Sequence, residues 1–320
     1  MKADKKYLQF PLFLLNDLFI DKSKTINNIF NYGIYRYSKT IKYELNEVAQ
    51  QLMYVYYRQR SDMPNDLHKI ITKYIEAAEI NLDEDYSGFN DKEFNPEQEI
   101  ECILKLFDAD ENFKTKSIEL YQIKMAYNYL GFKPNYKNCL KFGKEIELTI
   151  FDKEVMPMVS IKLLFDFRDS NKTEFELIQF AAFIAVRSII GKKQYCFTNS
   201  KMIISRIFGY KSSKYFPKNL PLIIEQLQSK YSKRYHFEKL MQSLEMSNWN
   251  LMFYSNFMRG YYVGIRSENF NELELALEAE SKKQKNKIAL LKKSKSDAKK
   301  TALNIISMQI KQQLQQQIQH

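Results

Sequence analysis

A chain of 320 residues with 45% apolar side chains is long enough for two cored domains. Only 8 glycines and 7 prolines stand against 22 tyrosines and 23 phenylalanines, which predicts a mainly α-helical protein with a small β component and short connections. Cys102, Cys139 and Cys196 lie far apart, and His68, His236 and His320 add no cluster, so neither a metal site nor a bound cofactor is expected. Sparse, odd-numbered cysteines suit a reducing compartment and predict a cytoplasmic protein. The apolar stretch Tyr7–Ile20 is broken by Gln9, Pro11, Asn16 and Asp17 and lacks a small-residue cleavage site. No signal peptide, transmembrane helix or membrane partner is expected.

The net charge of +11 is segregated. Residues 76–112 hold 13 acids and 2 lysines, residues 191–240 hold 11 Lys/Arg and 2 acids, and residues 282–320 hold 10 lysines and 1 acid. Concentrated cations form an electrostatic footprint for a polyanion, because neutralising phosphates releases condensed counterions.

In chain order, Leu8–Pro11 reads as extended and Leu12–Phe19 as helical. Asp21 or Ser23 caps a helix over Ile26–Tyr37, and apolar spacing predicts further helices over Leu45–Tyr57 and Leu67–Ala78. Residues 79–96 form an acidic, turn-rich loop without the ligand spacing of a calcium loop. Pro96 opens a helix to Asp108, and a helix over Ser117–Leu130 stops at Gly131. A short helix near Lys137–Phe142, a strand over Glu145–Phe151 and an extended run over Val159–Phe167 follow. The predicted organisation is a helical domain over 1–130, a connecting region over 131–158, a second domain over 159–266 and a basic, glutamine-rich tail over 267–320.

The stretch Thr173–Ile265 has the clearest pattern. Thr173 and Glu176 form a capping box ahead of a helix that is apolar almost all round and ends at Gly191. A second helix spans Asn199–Phe208 and closes at Gly209, and a third spans Leu220 to about Tyr231. A fourth covers Phe237–Leu244, and Trp249–Ile265 alternates as a hairpin whose tip contains Arg259. This order of elements resembles the winged-helix superfamily, including the DNA-binding domains of plasmid and phage replication initiators. The resemblance covers residues 159–266. It implies binding of double-stranded DNA by a helix-turn-helix and a wing, in replication or transcription of a phage or mobile element. Candidate contacts are Lys192, Lys193, Lys211, Ser212, Ser213, Lys214, Tyr215, Lys218, Asn219 and Arg259, with Ser212–Asn219 at the approach to the recognition helix. Pro217 and Pro221 depart from the usual pattern and shift the cations toward a loop before that helix. The competing expectation is a non-catalytic structural or adaptor protein whose helical body binds a protein partner.

The tail reads as an acidic helix over Asn271–Glu280, a lysine-rich stretch, and a partner or self-association helix over Ala302–Gln317, with disorder as the alternative. Phosphate-binding, dinucleotide, nucleophile-elbow and zinc-protease motifs are all missing from the sequence, and Asp166 and Asp169 beside Arg168 read as a charge cluster. No catalytic activity is expected.

Overall fold

The computed structural model describes residues 6–58, 63–77, 96–131, 136–150, 154–246, 249, 251–255, 260–265 and 270–318. It is mainly α-helical with a small antiparallel β component. Residues 78–95, which hold the expected acidic loop up to its last residue, lie outside the described residues.

Strand β1 (Tyr7–Gln9) pairs antiparallel with β2 (Met158–Ser160), with Leu8 opposite Val159. A 3-10 turn over Leu12–Leu15 follows β1 in place of the expected helix, and Leu12 N donates to Val155 O at 2.8 Å. Helix α1 (Lys22–Ser38) starts where Asp21 accepts from Lys24 N at 2.9 Å. It buries Ile26, Ile29, Phe30 and Ile34. Helices α2 (Leu45–Arg58), α3 (Asn65–Ala77), α4 (Pro96–Ala109) and α5 (Glu111–Leu130) follow, with α5 packed on α1 and α2, α3 and α4 packed on α5. Asp110 caps α5, and Gly131 at φ 77° ends it, a left-handed conformation that costs other residues a Cβ clash.

Two predicted strands are helical. Glu145–Thr149 belongs to α6 (Tyr136–Thr149), and Ile161–Asp169 forms α7. The run Ile161, Leu163, Phe165, Phe167 satisfies a period of two, but Ile161, Leu164 and Phe167 also satisfy helical spacing, and these three are the buried ones. Ser160 decides the case by capping α7, its Oγ accepting from Leu163 N at 3.3 Å.

Helices α8 (Glu174–Ile190), α9 (Ser200–Ile207), α10 (Leu222–Ser232) and α11 (Arg234–Met246) follow, with a three-stranded antiparallel sheet of β3 (Tyr195–Thr198), β4 (Leu251–Ser255) and β5 (Tyr261–Ile265). The main apolar core runs from Leu8 through Phe113 and Phe180 to Val263, so both halves of the chain share it, and Met252 and Tyr262 form a small separate cluster with Tyr195 and Tyr254. The tail is one helix, α12 (Phe270–Ile318), about 74 Å long at the usual helical rise, and each of its described side chains is exposed. No glycine or proline interrupts this segment, and its Leu, Ala, Lys, Gln and Glu residues are strong helix formers. No helix among the described residues is long and apolar enough to cross a membrane.

The α1–α6 contact is close. A Cβ on Gly143 would stand 2.1 Å from the Tyr35 ring, so Gly143→Ala is expected to cost about 1–3 kcal/mol in urea unfolding by forcing that ring aside. Burial raises the Cys139 thiol from its ordinary 9.0 to about 12 and the Tyr35 phenol from 10.0 to about 12. Both groups favour folding in their protonated forms. Their contribution is complete below about pH 9, where both states are protonated. It falls between about 9 and 12, where the unfolded chain ionises first. Urea midpoints measured from pH 8 to 11 are expected to decline, and Cys139→Ala is expected to flatten the decline.

Candidate functional site

Helix α8 is the centre of the C-terminal unit. Thr173 Oγ1 accepts from Glu176 N at 3.3 Å, and Glu176 Oε2 accepts from Thr173 N at 2.8 Å, forming the expected capping box. These bonds hold the Glu176 carboxyl below the usual carboxylate range. Ile178, Phe180, Ala181, Ala182, Ile184, Ala185, Val186 and Ile190 are buried, and Gly191 at φ 60° ends the helix.

The next strand, β3, was not among the sequence expectations. Its signal was Tyr195-Cys196-Phe197-Thr198, a run of aromatic and β-branched residues between the end of α8 and the Asn199 cap. It pairs with β5, Cys196 opposite Val263, while β4 pairs with the other edge of β5, Phe253 opposite Val263. The sheet order is therefore β3-β5-β4, the strand nearest α8 in sequence lying beside the last strand of the hairpin.

Helix α9 begins at Asn199, whose side chain accepts from Met202 N at 2.9 Å. Two contacts fix its far end. Arg206 Nη1 donates to Ser188 Oγ at 2.9 Å, placing the end of α9 beside the end of α8. Burial lowers the pKa of this guanidinium from its ordinary value. Phe208 packs on Phe19 with ring centroids 5.5 Å apart. The following Gly209, at φ 81°, lies so close to Asn16 that a Cβ would meet Asn16 Oδ1 at 2.1 Å.

Lys192 and Lys193 follow α8 and are exposed. Lys211 and Ser212 are half-buried, while Ser213, Lys214, Tyr215, Lys218 and Asn219 are exposed. The Arg206–Ser188 contact lies within five residues of Lys192, Lys193 and Lys211, so it gathers the starts of the two cationic loops at one end of the unit. Exposed Lys201, in the first turn of α9, was not singled out from sequence. Arg259 lies outside the described residues.

The structure corrects the boundary of the third helix. Helix α10 starts at Leu222, with Pro221 as its N-cap at φ −53° and ψ 139°. Residues 212–219 therefore sit in the connection before it, which includes a 3-10 turn over Ser213–Tyr215. Two prolines without an N–H, at 217 and 221, delay helix formation past Asn219. The exposed residues of α10 are Leu222, Ile223, Glu225, Gln226, Ser229, Lys230 and Ser232. At its other end Lys230 Nζ lies 3.2 Å from Glu174 Oε1, so α10 enters from the loop and runs toward the start of α8.

Among the described residues no cluster of His, Cys, Asp or Glu is placed to hold a metal ion. Asp169 binds Arg168 at 2.6 Å and Asp166 binds Lys172 at 2.8 Å, both ordinary ion pairs on or beside α7. No protein-family model, no curated protein and no solved structure matches the chain.

The packing of the α9–α10 connection makes a direct contrast testable. Phe208 is fully buried and Tyr215 is 63% exposed. Phe208→Ala is expected to cost about 3–5 kcal/mol in chemical unfolding, and Tyr215→Ala to stay within about 0.5 kcal/mol of the parent.

Proposed function

We propose that residues 174–265 act as a winged-helix module that binds double-stranded DNA, in a non-catalytic role in replication or transcription of a phage or mobile element. The observation that carries this reading is the order α8, β3, α9, α10, α11, then hairpin, combined with a sheet in which β3 pairs with β5. In that arrangement α10 takes the place of the recognition helix and the β4–β5 hairpin that of the wing. The cations of residues 191–240 supply the second support, since 11 Lys/Arg against 2 acids favour a phosphate surface.

The details shape the expected mode of binding. Helix α11 is inserted before the hairpin, and the connection from α9 to α10 spans residues 208–221 rather than a short turn. The exposed face of α10 offers Gln226 and Ser229 to base edges but carries Glu225 and two aliphatic residues in its first turns, and its one cation, Lys230, is paired with Glu174. Affinity therefore rests on Lys192, Lys193, Lys211, Lys214 and Lys218 against the backbone, with the lysines of α12 adding sequence-independent attraction.

A second reading has its own observation. Leu222 is 69% exposed and Ile223 40%, an apolar start to α10 that suits an adaptor contacting a protein partner.

Fluorescence anisotropy with a labelled random duplex separates the two. The full chain is expected to bind with an affinity that falls linearly in log–log form with salt. A chain truncated after Ser267 is expected to keep salt-dependent binding. Reversing Lys214 and Lys218 to Glu is expected to weaken binding more than tenfold and lower the salt slope by about 2. Loss of all binding on truncation would reduce the activity to attraction by α12. No binding by either chain would reject the DNA reading in favour of the adaptor.

A further inference from the structure

A cleft of about 560 Å³ opens in the N-terminal half, far in sequence from the cationic loops. That volume falls within the range of small-molecule sites, about 300–1,000 Å³. Its walls come from β1, the second half of α1, the ends of α5 and α6, and β2.

Three cations line it: Lys6, Arg36 and Lys39. One carboxylate, Glu147, faces them, and it already accepts from the Tyr35 hydroxyl and from Lys39 Nζ, each at 2.9 Å. Arg36 is held in place from behind. Its Nε donates to Gln9 Oε1 at 3.0 Å, and Gln9 Nε2 donates in turn to Met156 O at 3.3 Å. A guanidinium oriented through Nε keeps its terminal fork aligned, the geometry that suits two oxygens of one phosphate.

Arg36 lies in the last turn of α1, where a cation complements the helix dipole, and its guanidinium also lies beside the Tyr32 hydroxyl. Ser38 and Thr40 hydroxyls cap the Tyr35 and Tyr37 carbonyls at 2.7 Å, Gly131 N caps Tyr127 O at 2.9 Å, and Thr149 caps Ile146 O at 2.7 Å. At the same cleft Tyr37 and Tyr129 stack with centroids 5.5 Å apart and planes 11° from parallel. Tyr129 is 50% exposed, and the Lys6 ammonium sits over its ring, 4.5 Å from the centroid. Lys6 also donates to the Tyr129 carbonyl.

We propose that this cleft binds a phosphorylated ligand with a planar ring, of the nucleotide class. The Arg36 fork takes the phosphate. The base stacks on the Tyr37–Tyr129 pair, and Lys6 leaves the Tyr129 ring to join the phosphate. This site stands independently of DNA binding by the C-terminal unit. The same chemistry is offered by a free nucleotide and by the phosphorylated end of a nucleic-acid strand.

Calorimetric titration of the full chain with inorganic phosphate, adenosine, adenosine monophosphate, and a short single strand with or without a 5′-phosphate tests the proposal. Adenosine monophosphate is expected to bind about tenfold or more tighter than either adenosine or phosphate. Arg36→Gln is expected to weaken it by about tenfold or more. Tyr129→Leu is expected to weaken adenosine monophosphate by about fivefold or more and leave phosphate unchanged. Tyr129 is half exposed, so this second variant keeps the test open if Arg36→Gln folds poorly. Preference for the 5′-phosphorylated strand over the mononucleotide would assign the strand end as the source, and the reverse preference the free nucleotide. The proposal is overturned if the nucleotide shows no saturable binding at millimolar concentration. It is also overturned if binding is unchanged in folded Arg36→Gln and Tyr129→Leu.

Discussion

The burial of α8 is the constraint on which the C-terminal unit depends. Phe180, Ala181, Ala182, Ile184, Ala185 and Val186 are all fully buried, so this helix has little surface left for water and must be covered on nearly every side. Helices α9 and α11, strands β2, β3 and β5 supply that cover. The alanines let neighbours approach closely, while Phe180 stacks on Phe167 at 4.3 Å and Phe183 reaches Trp249 at 4.9 Å. The capping box sets where α8 begins and Gly191 where it ends, and these two limits place the loop of Lys192 and Lys193. A wrongly placed end of α8 would displace the cations with it.

The N-terminal segment is part of the same packing problem. Leu8 on β1 is fully buried opposite Val159, and a Cβ on Gly33 would meet the Leu8 side chain at 2.8 Å, so β1 lies tightly between β2 and α1. Further on, Phe19 and Asn16 meet Phe208 and Gly209. The chain thus returns its first residues to the end of α9, where the long cationic connection starts. Rigidity at that junction comes from contacts about 190 residues apart in sequence, which no local pattern encodes.

The two proposed sites rest on different physics. The cationic loops are mostly exposed, only Lys211 among their lysines being half-buried, and offer charge without a cavity, which suits a polyanion read mainly through its backbone. The N-terminal cleft is concave, orients one arginine through a glutamine and presents stacked rings, which suits a small ligand. Helix α12 belongs to neither. Its lysines at 283 and 287, and at 295 and 299, are like charges one turn apart, mutually repulsive in isolation and favourable beside a polyanion.

By itself the sequence determined the helical character of the chain and the limits of its best-marked elements. Asp21, Thr173 with Glu176, and Gly131, Gly191 and Gly209 act through bonds or dihedrals within a few residues, so their signals are local and complete. The basic loops were legible for the same reason, because charge is counted without knowing the fold. Tertiary structure decided what local signals left balanced. Ile161–Phe167 fits both a strand and a helix, and burial against α1 and α8 together with the Ser160 cap selects the helix. Strand β3 is only four residues long and is a strand because β5 offers it a ladder. The start of α10 moved from Leu220 past Pro221, which left Leu222 and Ile223 exposed in its first turn. The cleft of Arg36, Lys6 and Tyr129 had no sequence signature at all. Its residues come from positions 6, 36 and 129, and only the packing of α1 against β1, α5 and α6 brings them to one wall.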